Sequence, residues 1–329
     1  MRWDNPIKPD WFEFPDLAAF PDYASEPRNT DDYDMSVINE SISSGNADLF
    51  IDEVQKVAGS IAGLGKLKNF FKEVTTRKLH SRDDIQTECG QALYEHGRYI
   101  TRISFNDLDV ESLVDSYLSK PDWTPSPGSY DRGGMLSGNH LQVIQSKFSK
   151  AGILKGVEEY SGKKRSVNAA YLHVSTSTDH HYKQFFGDAE TTPRWTNLHI
   201  DPKQDVIKAI VYLNDIDENA GGFGFVPKSH RYVYPLVQEI FGRAISTGNY
   251  CDTSKKRKSV FSLPKQLRVS YNFGRCIMDD SNLARELDKR FQRVTSDMGN
   301  VTVFDPGAGM HQGGIVKEGK RIAIQVLMK

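Results

Sequence analysis

The chain has 329 residues, enough for one large domain or two ordinary ones, and its 38% hydrophobic and 26% charged content is that of a globular protein. Its 42 basic side chains nearly balance 43 acidic ones, so no global field draws it to nucleic acid or to an anionic membrane. Three well-separated cysteines, Cys89, Cys251 and Cys276, exclude a disulfide framework and a Cys-x-x-Cys metal knuckle.

The opening stretch MRWDNPIKPDWFEFPD lacks the basic-then-apolar order of a secretory signal, and no apolar run approaches membrane-spanning length. The expected compartment is reducing and cytoplasmic. Pro6, Pro9, Pro15, Pro21 and Pro27 break any periodicity in the first forty residues, and Trp3, Trp11, Phe12, Phe14 and Phe20 are expected to pin this arm across another surface. From about Asn46 to Lys72, Phe50, Val54, Val57, Ile61, Leu64, Leu67 and Phe71 recur every three or four residues. That period predicts an amphipathic helix facing a core, with a break near Gly63 and Gly65. Residues 1–80 are therefore read as an arm and helix packed on a second unit, residues 81–329.

In that unit, DDIQTECGQALYEHG reads as a helix ending at Gly97, and RYITRISF reads as a strand. NDLDVESLVDSYLSK is a helix capped by Asn106 or Asp107. After the loop KPDWTPSPGSYDRGG the chain turns strand-rich, in SVNAAYLHVSTS, VIKAIVYLND, GGFGFVP, NVTVFDPG and RIAIQVLM. A mixed insertion, 231–295, includes the helical SNLARELDKRFQRV. The pattern predicts a mainly β protein with a helical layer (α+β): a jelly-roll-like sandwich or barrel, its helices gathered N-terminally.

His199 and Asp201 stand two apart, so on a strand both point to one side. Such a pair is weak alone in a chain with nine histidines. His311 follows an apolar strand in a glycine-rich turn and offers a third ligand from a distant segment. Two histidines and a carboxylate on one face, with open positions beside them, is the donor set of non-haem Fe(II) oxygenases. Arg321, ten residues beyond His311 at the head of RIAIQVLM, would pair a dicarboxylate cosubstrate.

HID (199–201), YLNDIDENAGGFGFVPKSH (212–230), GMHQGG (309–314) and Arg321 together resemble the phytanoyl-CoA dioxygenase (PhyH-like) family of Fe(II)- and 2-oxoglutarate-dependent oxygenases. Residues 92–118 are similar, more weakly, to the helix, strand and helix that open that family's domain. The resemblance spans about residues 81–329. It departs at Lys228, where the family's Pro-Gly-Ser-His turn has glycine. It implies a double-stranded β-helix (jelly-roll, cupin-like) core, with His199, Asp201 and His311 binding iron and Arg321 holding the far carboxylate of 2-oxoglutarate. It also implies a dioxygenase that consumes O2, forms succinate and CO2, and oxidises an unactivated C–H bond of a small metabolite, by hydroxylation in the simplest case. Desaturation, cyclisation or epimerisation would use the same ligands. Because Asp201 is a carboxylate, no halide position is vacated.

Further lining is expected from alternation. Lys208, Ile210 and Tyr212 share one strand face, and by the resemblance Ile210 and Tyr212 look toward the cosubstrate. Tyr171, His173 and Ser175 share another face, and Trp195, Thr196 and Asn197 just precede the iron ligands. Each of these is equally read as a packed strand residue. His180-His181 cannot both reach one metal from a strand and reads as a loop, and His230 reads as a turn residue. The basic runs 163–165 and 255–258 read as solvated loops or as contacts to an acidic substrate. GGFGF opens no helix with a Lys-Ser/Thr and so is no phosphate loop. Two competing readings are a non-catalytic ligand-binding β-sandwich and a cupin-like zinc or manganese enzyme, neither of which needs Arg321. Substrate identity and oligomeric state have no code in the chain.

Overall fold

The computed structural model describes residues 2–3, 33–58, 68–69, 71–72, 79–80, 82–105, 108–118, 132–176, 198, 200–201, 206–231, 282–295 and 297–329. The chain divides into two compact units, one of residues 1–81, 199–203 and 231–285, the other of 82–198, 204–230 and 286–329.

In the first unit, helices α1 (Ser36–Ser44) and α2 (Ala47–Ala58) are separated by Gly45, whose left-handed φ of 70° ends α1. Ile38, Phe50, Val54 and Phe71 are buried, and the Phe50 and Phe71 rings lie 4.9 Å apart. The apolar period read from the sequence thus marks a packed face. The chain is helical over Ala47–Ala58 and again at 68–69 and 71–72, while 59–67 lie outside the described residues. Helix α1 was not legible in the proline-rich reading of the arm. Strands β1 (Arg2–Trp3) and β2 (Leu79–His80) pair in parallel.

The second unit is built on two antiparallel sheets. Its strands are β3 (Arg98–Arg102), β4 (Arg132–Met135), β5 (Val167–Thr176), β6 (Ile207–Tyr212), β7 (Gly224–Phe225), β8 (Gln292–Arg293), β9 (Asn300–Phe304), β10 (His311–Gln312) and β11 (Lys320–Met328). The larger sheet has the order β3-β9-β6-β11-β5-β4 and the smaller β10-β7-β8. From β6 onward the chain visits the larger sheet, the smaller twice, then larger, smaller and larger. One face of the larger sheet is apolar at its centre, with Leu172, Val174, Ala209, Val211, Val301, Val303, Ile324 and Val326 buried. The other face mixes polar and aromatic groups. Its Tyr212, Phe304 and Ala323 pack with Phe223, Phe225 and Val294 of the smaller sheet and its flanks. Each buried phenylalanine there is worth about 1.5–3 kcal/mol of burial.

Four helices accompany these sheets: α3 (Glu88–His96), α4 (Val110–Leu118), α5 (Gly138–Lys150) and α6 (Ile153–Ser161). Helices α5 and α6 correct the expectation that helices end before the proline-rich loop. Their signal was present in Ile144, Phe148, Ile153, Val157 and Tyr160, all buried at helical spacing. Asn106 and Asp107 lie outside the described residues, and Asp109 caps α4 through a 3.0 Å bond from Ser112 N–H. Helix α7 covers only Asn282–Arg290; the expected helical FQRV instead leaves Phe291 and enters edge strand β8. No helix among the described residues is long and apolar enough to cross a membrane.

Candidate active site

The β5–β11 register sets Ser175 directly opposite Arg321. Arg321 is 7% exposed. Its guanidinium donates to the carbonyls of Gly221 and Gly314, the latter at 2.8 Å, and to Ser175 Oγ at 2.9 Å. These neutral acceptors fix the planar fork at the head of β11. The glycines it grips allow the approach. Gly221 has φ 72°, and a side chain there would fall 2.7 Å from the Ile315 backbone. The AGGFGF run is therefore glycine-rich because Gly221 and Gly222 pass against the backbone of 315–316 and of Val294, and Gly224 against the Phe291 ring.

Two residues along from Arg321, a cross-strand row runs His173–Ala323–Tyr212. The next row is Tyr171–Gln325–Ile210–Thr302. All these side chains share the mixed face, with the small Ala323 between imidazole and phenol. Tyr212 Oη accepts a hydrogen bond from Phe223 N–H at 2.7 Å, so the phenol keeps its own proton to donate. Burial raises the pKa of Tyr212 above the usual tyrosine range, partly opposed by the charges of Arg321 and Arg293 and by the Phe223 bond. Arg293 clamps the neighbouring segment, donating to Gly222 O at 2.9 Å and to Gln312 Oε1 at 3.3 Å.

His311 lies in β10, paired with Phe225 of β7, and is 5% exposed. It is a strand residue, not the turn residue expected. Its ring centroid is 5.0 Å from Phe304 and 5.9 Å from Phe223. Nδ1 meets the Gly309 carbonyl at 3.0 Å. A carbonyl can only accept, so Nδ1 carries the proton, and in the neutral ring the lone pair then lies on Nε2. That is how histidines that bind metals are set. The donor chemistry of His311 thus fits a metal ligand.

The Pro-Lys-Ser-His turn buttresses this strand. Ser229 Oγ accepts Met310 N–H at 2.8 Å, and Val226 N–H donates to Met310 O at 3.0 Å. Lys228 has φ 65°, the left-handed conformation that glycine adopts freely. His230 binds the Tyr94 carbonyl of α3 through Nε2 at 2.9 Å and packs against Gly97, so its bond ties the turn to that helix.

Arg321, Tyr212, Ile210, Tyr171, His173 and His311 all belong to the second unit. Asp201 belongs to the first and is 8% exposed. His199, Trp195, Thr196 and Asn197 lie outside the described residues, as do His180-His181, Cys251, Cys276 and the 255–258 run. Among the described residues no three His, Cys, Asp or Glu side chains form a metal-sized group. In the 163–165 run, Lys163 and Lys164 are exposed, whereas Arg165 is buried and donates to Ser161 Oγ at 3.1 Å. Cys89, the free cysteine among the described residues, is buried, which raises its thiol to about 12 and removes it as a nucleophile. Asp305, Tyr160 and Arg293 were not singled out in the sequence, although Asp305 opens a turn-forming Asp-Pro-Gly; Ser229 stood in the Pro-Lys-Ser-His turn without a role of its own.

No protein-family model matches the chain, and no curated protein matches it. Several solved structures are similar. The non-haem α-ketoglutarate-dependent carbocyclase SnoK of nogalamycin biosynthesis is 12% identical over 75% of this chain and 84% of that one, with a TM-score of 0.45. EctD from S. alaskensis, in its apoform, is 14% identical over 76% and 79%, with a TM-score of 0.42. HygX from Streptomyces hygroscopicus, with nickel, 2-oxoglutarate and hygromycin B bound, is 14% identical over 74% and 87%, with a TM-score of 0.41.

Proposed function

We propose that this chain is an Fe(II)- and 2-oxoglutarate-dependent dioxygenase of the phytanoyl-CoA dioxygenase type, oxidising an unactivated C–H bond of a small metabolite. The observation that carries the reading is Arg321, buried at the head of β11 and locked by two carbonyls and Ser175. A guanidinium held that way is set to take a carboxylate in a bidentate pair. The order in which the chain visits its two sheets supports a double-stranded β-helix, the architecture whose interior such a site would occupy.

His199, Asp201 and His311 would hold the iron, two neutral imidazoles and one carboxylate. Bound there, ferrous iron with 2-oxoglutarate supplies the dioxygen chemistry that oxidises a C–H bond while the keto acid becomes succinate and carbon dioxide. The chain's own groups do the positioning. Arg321 receives the far carboxylate, Tyr212 offers a phenol proton beside it, and Ser175 keeps the guanidinium from rotating. Phe223 and Phe304 pack together against one side of the buried His311 ring. Tyr171, His173 and Ile210, with Trp195 and Asn197, would line the space for substrate.

The test is turnover. Fe(II)-loaded protein is given 2-oxoglutarate, dioxygen and a panel of small metabolites, and succinate is measured. Succinate above the level of a His311→Ala variant supports the proposal; equal levels contradict it.

A further inference from the structure

We infer that Tyr160 and Asp305 are positioning residues for His311: through the turn 305–309 they hold its ring with the proton on Nδ1 and the lone pair on Nε2. Asp305 follows β9 and is 8% exposed. Its Oδ2 accepts the Tyr160 hydroxyl of α6 at 3.1 Å, and its Oδ1 accepts Gly307 N–H at 2.9 Å. Its main-chain oxygen accepts Gly309 N–H at 3.0 Å. The Gly307 bond is an Asx turn, the Gly309 bond closes one helical turn, and Pro306 fixes φ between them.

The turn delivers one group to the site. Gly309 sits against the Phe225 ring, where a side chain would come within 2.6 Å, so only a glycine can bring its backbone so close. Its carbonyl accepts His311 Nδ1–H, while Ser229 and Val226 hold Met310 between them. Imidazole in water prefers the proton on Nε2, the nitrogen a metal would need. The orientation of the Gly309 carbonyl reverses that preference, and the carboxylate of Asp305, tied down by Tyr160, sets the orientation. The consequence for metal binding rests on the function proposed above; the tautomer itself does not.

Protein labelled with ¹⁵N-histidine and free of metal separates the two. Long-range ¹H–¹⁵N correlation, with His311 assigned through His311→Gln, is expected to show the proton on Nδ1. Asp305→Ala should move the ring toward the Nε2–H form, Tyr160→Phe should do so less, and Asp305→Asn, which keeps the Gly307 bond, should stay near wild type. A residue that merely stabilised the fold would lower the melting temperature and leave the tautomer alone. Co(II) affinity, read from its visible bands, should fall about 10- to 100-fold in Asp305→Ala. If Asp305→Ala does not fold, Tyr160→Phe carries the comparison. A wild-type proton on Nε2, or folded variants with an unchanged tautomer, would overturn the inference. Failure of wild type to bind Co(II) despite an Nδ1 proton would instead overturn the proposed metal site.

Discussion

Ser175 and Arg321 face each other across the β5–β11 pair, and the hydroxyl oxygen accepts the guanidinium N–H at 2.9 Å. The same guanidinium ties the Gly221 and Gly314 carbonyls, so this side chain both presents a charge and staples two loops. Arg321→Ala is therefore expected to act twice. It should raise the 2-oxoglutarate requirement about 10- to 100-fold, and lower stability by about 1–3 kcal/mol as two carbonyls lose their donor. Ser175→Ala should cost less on both counts. Calorimetric titration of 2-oxoglutarate beside denaturant melts separates the two effects.

Lys228 occupies a left-handed backbone position, φ 65°, in the turn whose Ser229 supports the His311 strand. A side chain there costs about 1–2 kcal/mol, of which glycine's greater unfolded freedom returns a part. Lys228→Gly should stabilise the protein by about 0.5–1 kcal/mol, seen as a higher urea midpoint at unchanged slope. The lysine side chain is exposed, so no packing is lost.

Gly222 has no room for a methyl group, because a Cβ would enter the Val294 carbonyl, and backbone cannot swing aside. Gly222→Ala should destabilise by about 3 kcal/mol. Gly45→Ala tests the contrast: its surroundings are open, so it carries only the cost of its left-handed φ of 70°. Thermal melts of the two variants should rank them in that order.

Glu159 carries a pH dependence. Burial pushes its carboxyl upward, but bonds from the Thr87 and Gln86 N–H groups and the Thr87 hydroxyl outweigh this and leave it below 4.5. A depressed carboxyl adds stability above its unfolded value of 4.5, and that stability fades as pH falls through the lower folded value. Because Thr87 caps α3, Glu159→Gln should cost about 1 kcal/mol at neutral pH and nothing once the carboxyl is protonated. Urea melts at pH 7 and pH 3 would show the difference shrink.

Much of the strand framework was legible. VNAAYLHVST, IKAIVY, NVTVF and RIAIQVLM carry β-branched and aromatic residues between turn signals, and each forms a strand. Shared faces followed from alternation, so the grouping of Tyr171 with His173 and of Ile210 with Tyr212 needed no coordinates. Register was another matter. Nothing local to Ser175 announces that it meets Arg321 from 146 positions away, because pairing is fixed by the whole sheet. Helices α5 and α6 were missed for a different reason: Gly152 separates them and Gly156 interrupts the apolar period of α6. Gly156 instead lets α6 touch α3, its missing side chain facing Gly90 N at 2.7 Å. Short β10 and β8 lie below the length at which a period can be read.

The proposed activity requires His199, Asp201 and His311 to share one ferrous ion with a keto diacid held by Arg321. Anaerobic titration of Fe(II) into protein with 2-oxoglutarate reads this directly, through the weak charge-transfer band of the chelated keto acid in visible light. The band should appear and saturate at one equivalent in wild type, and be lost in Asp201→Ala and His311→Ala. A folded wild-type protein that develops no band, or variants that keep it, would contradict the account.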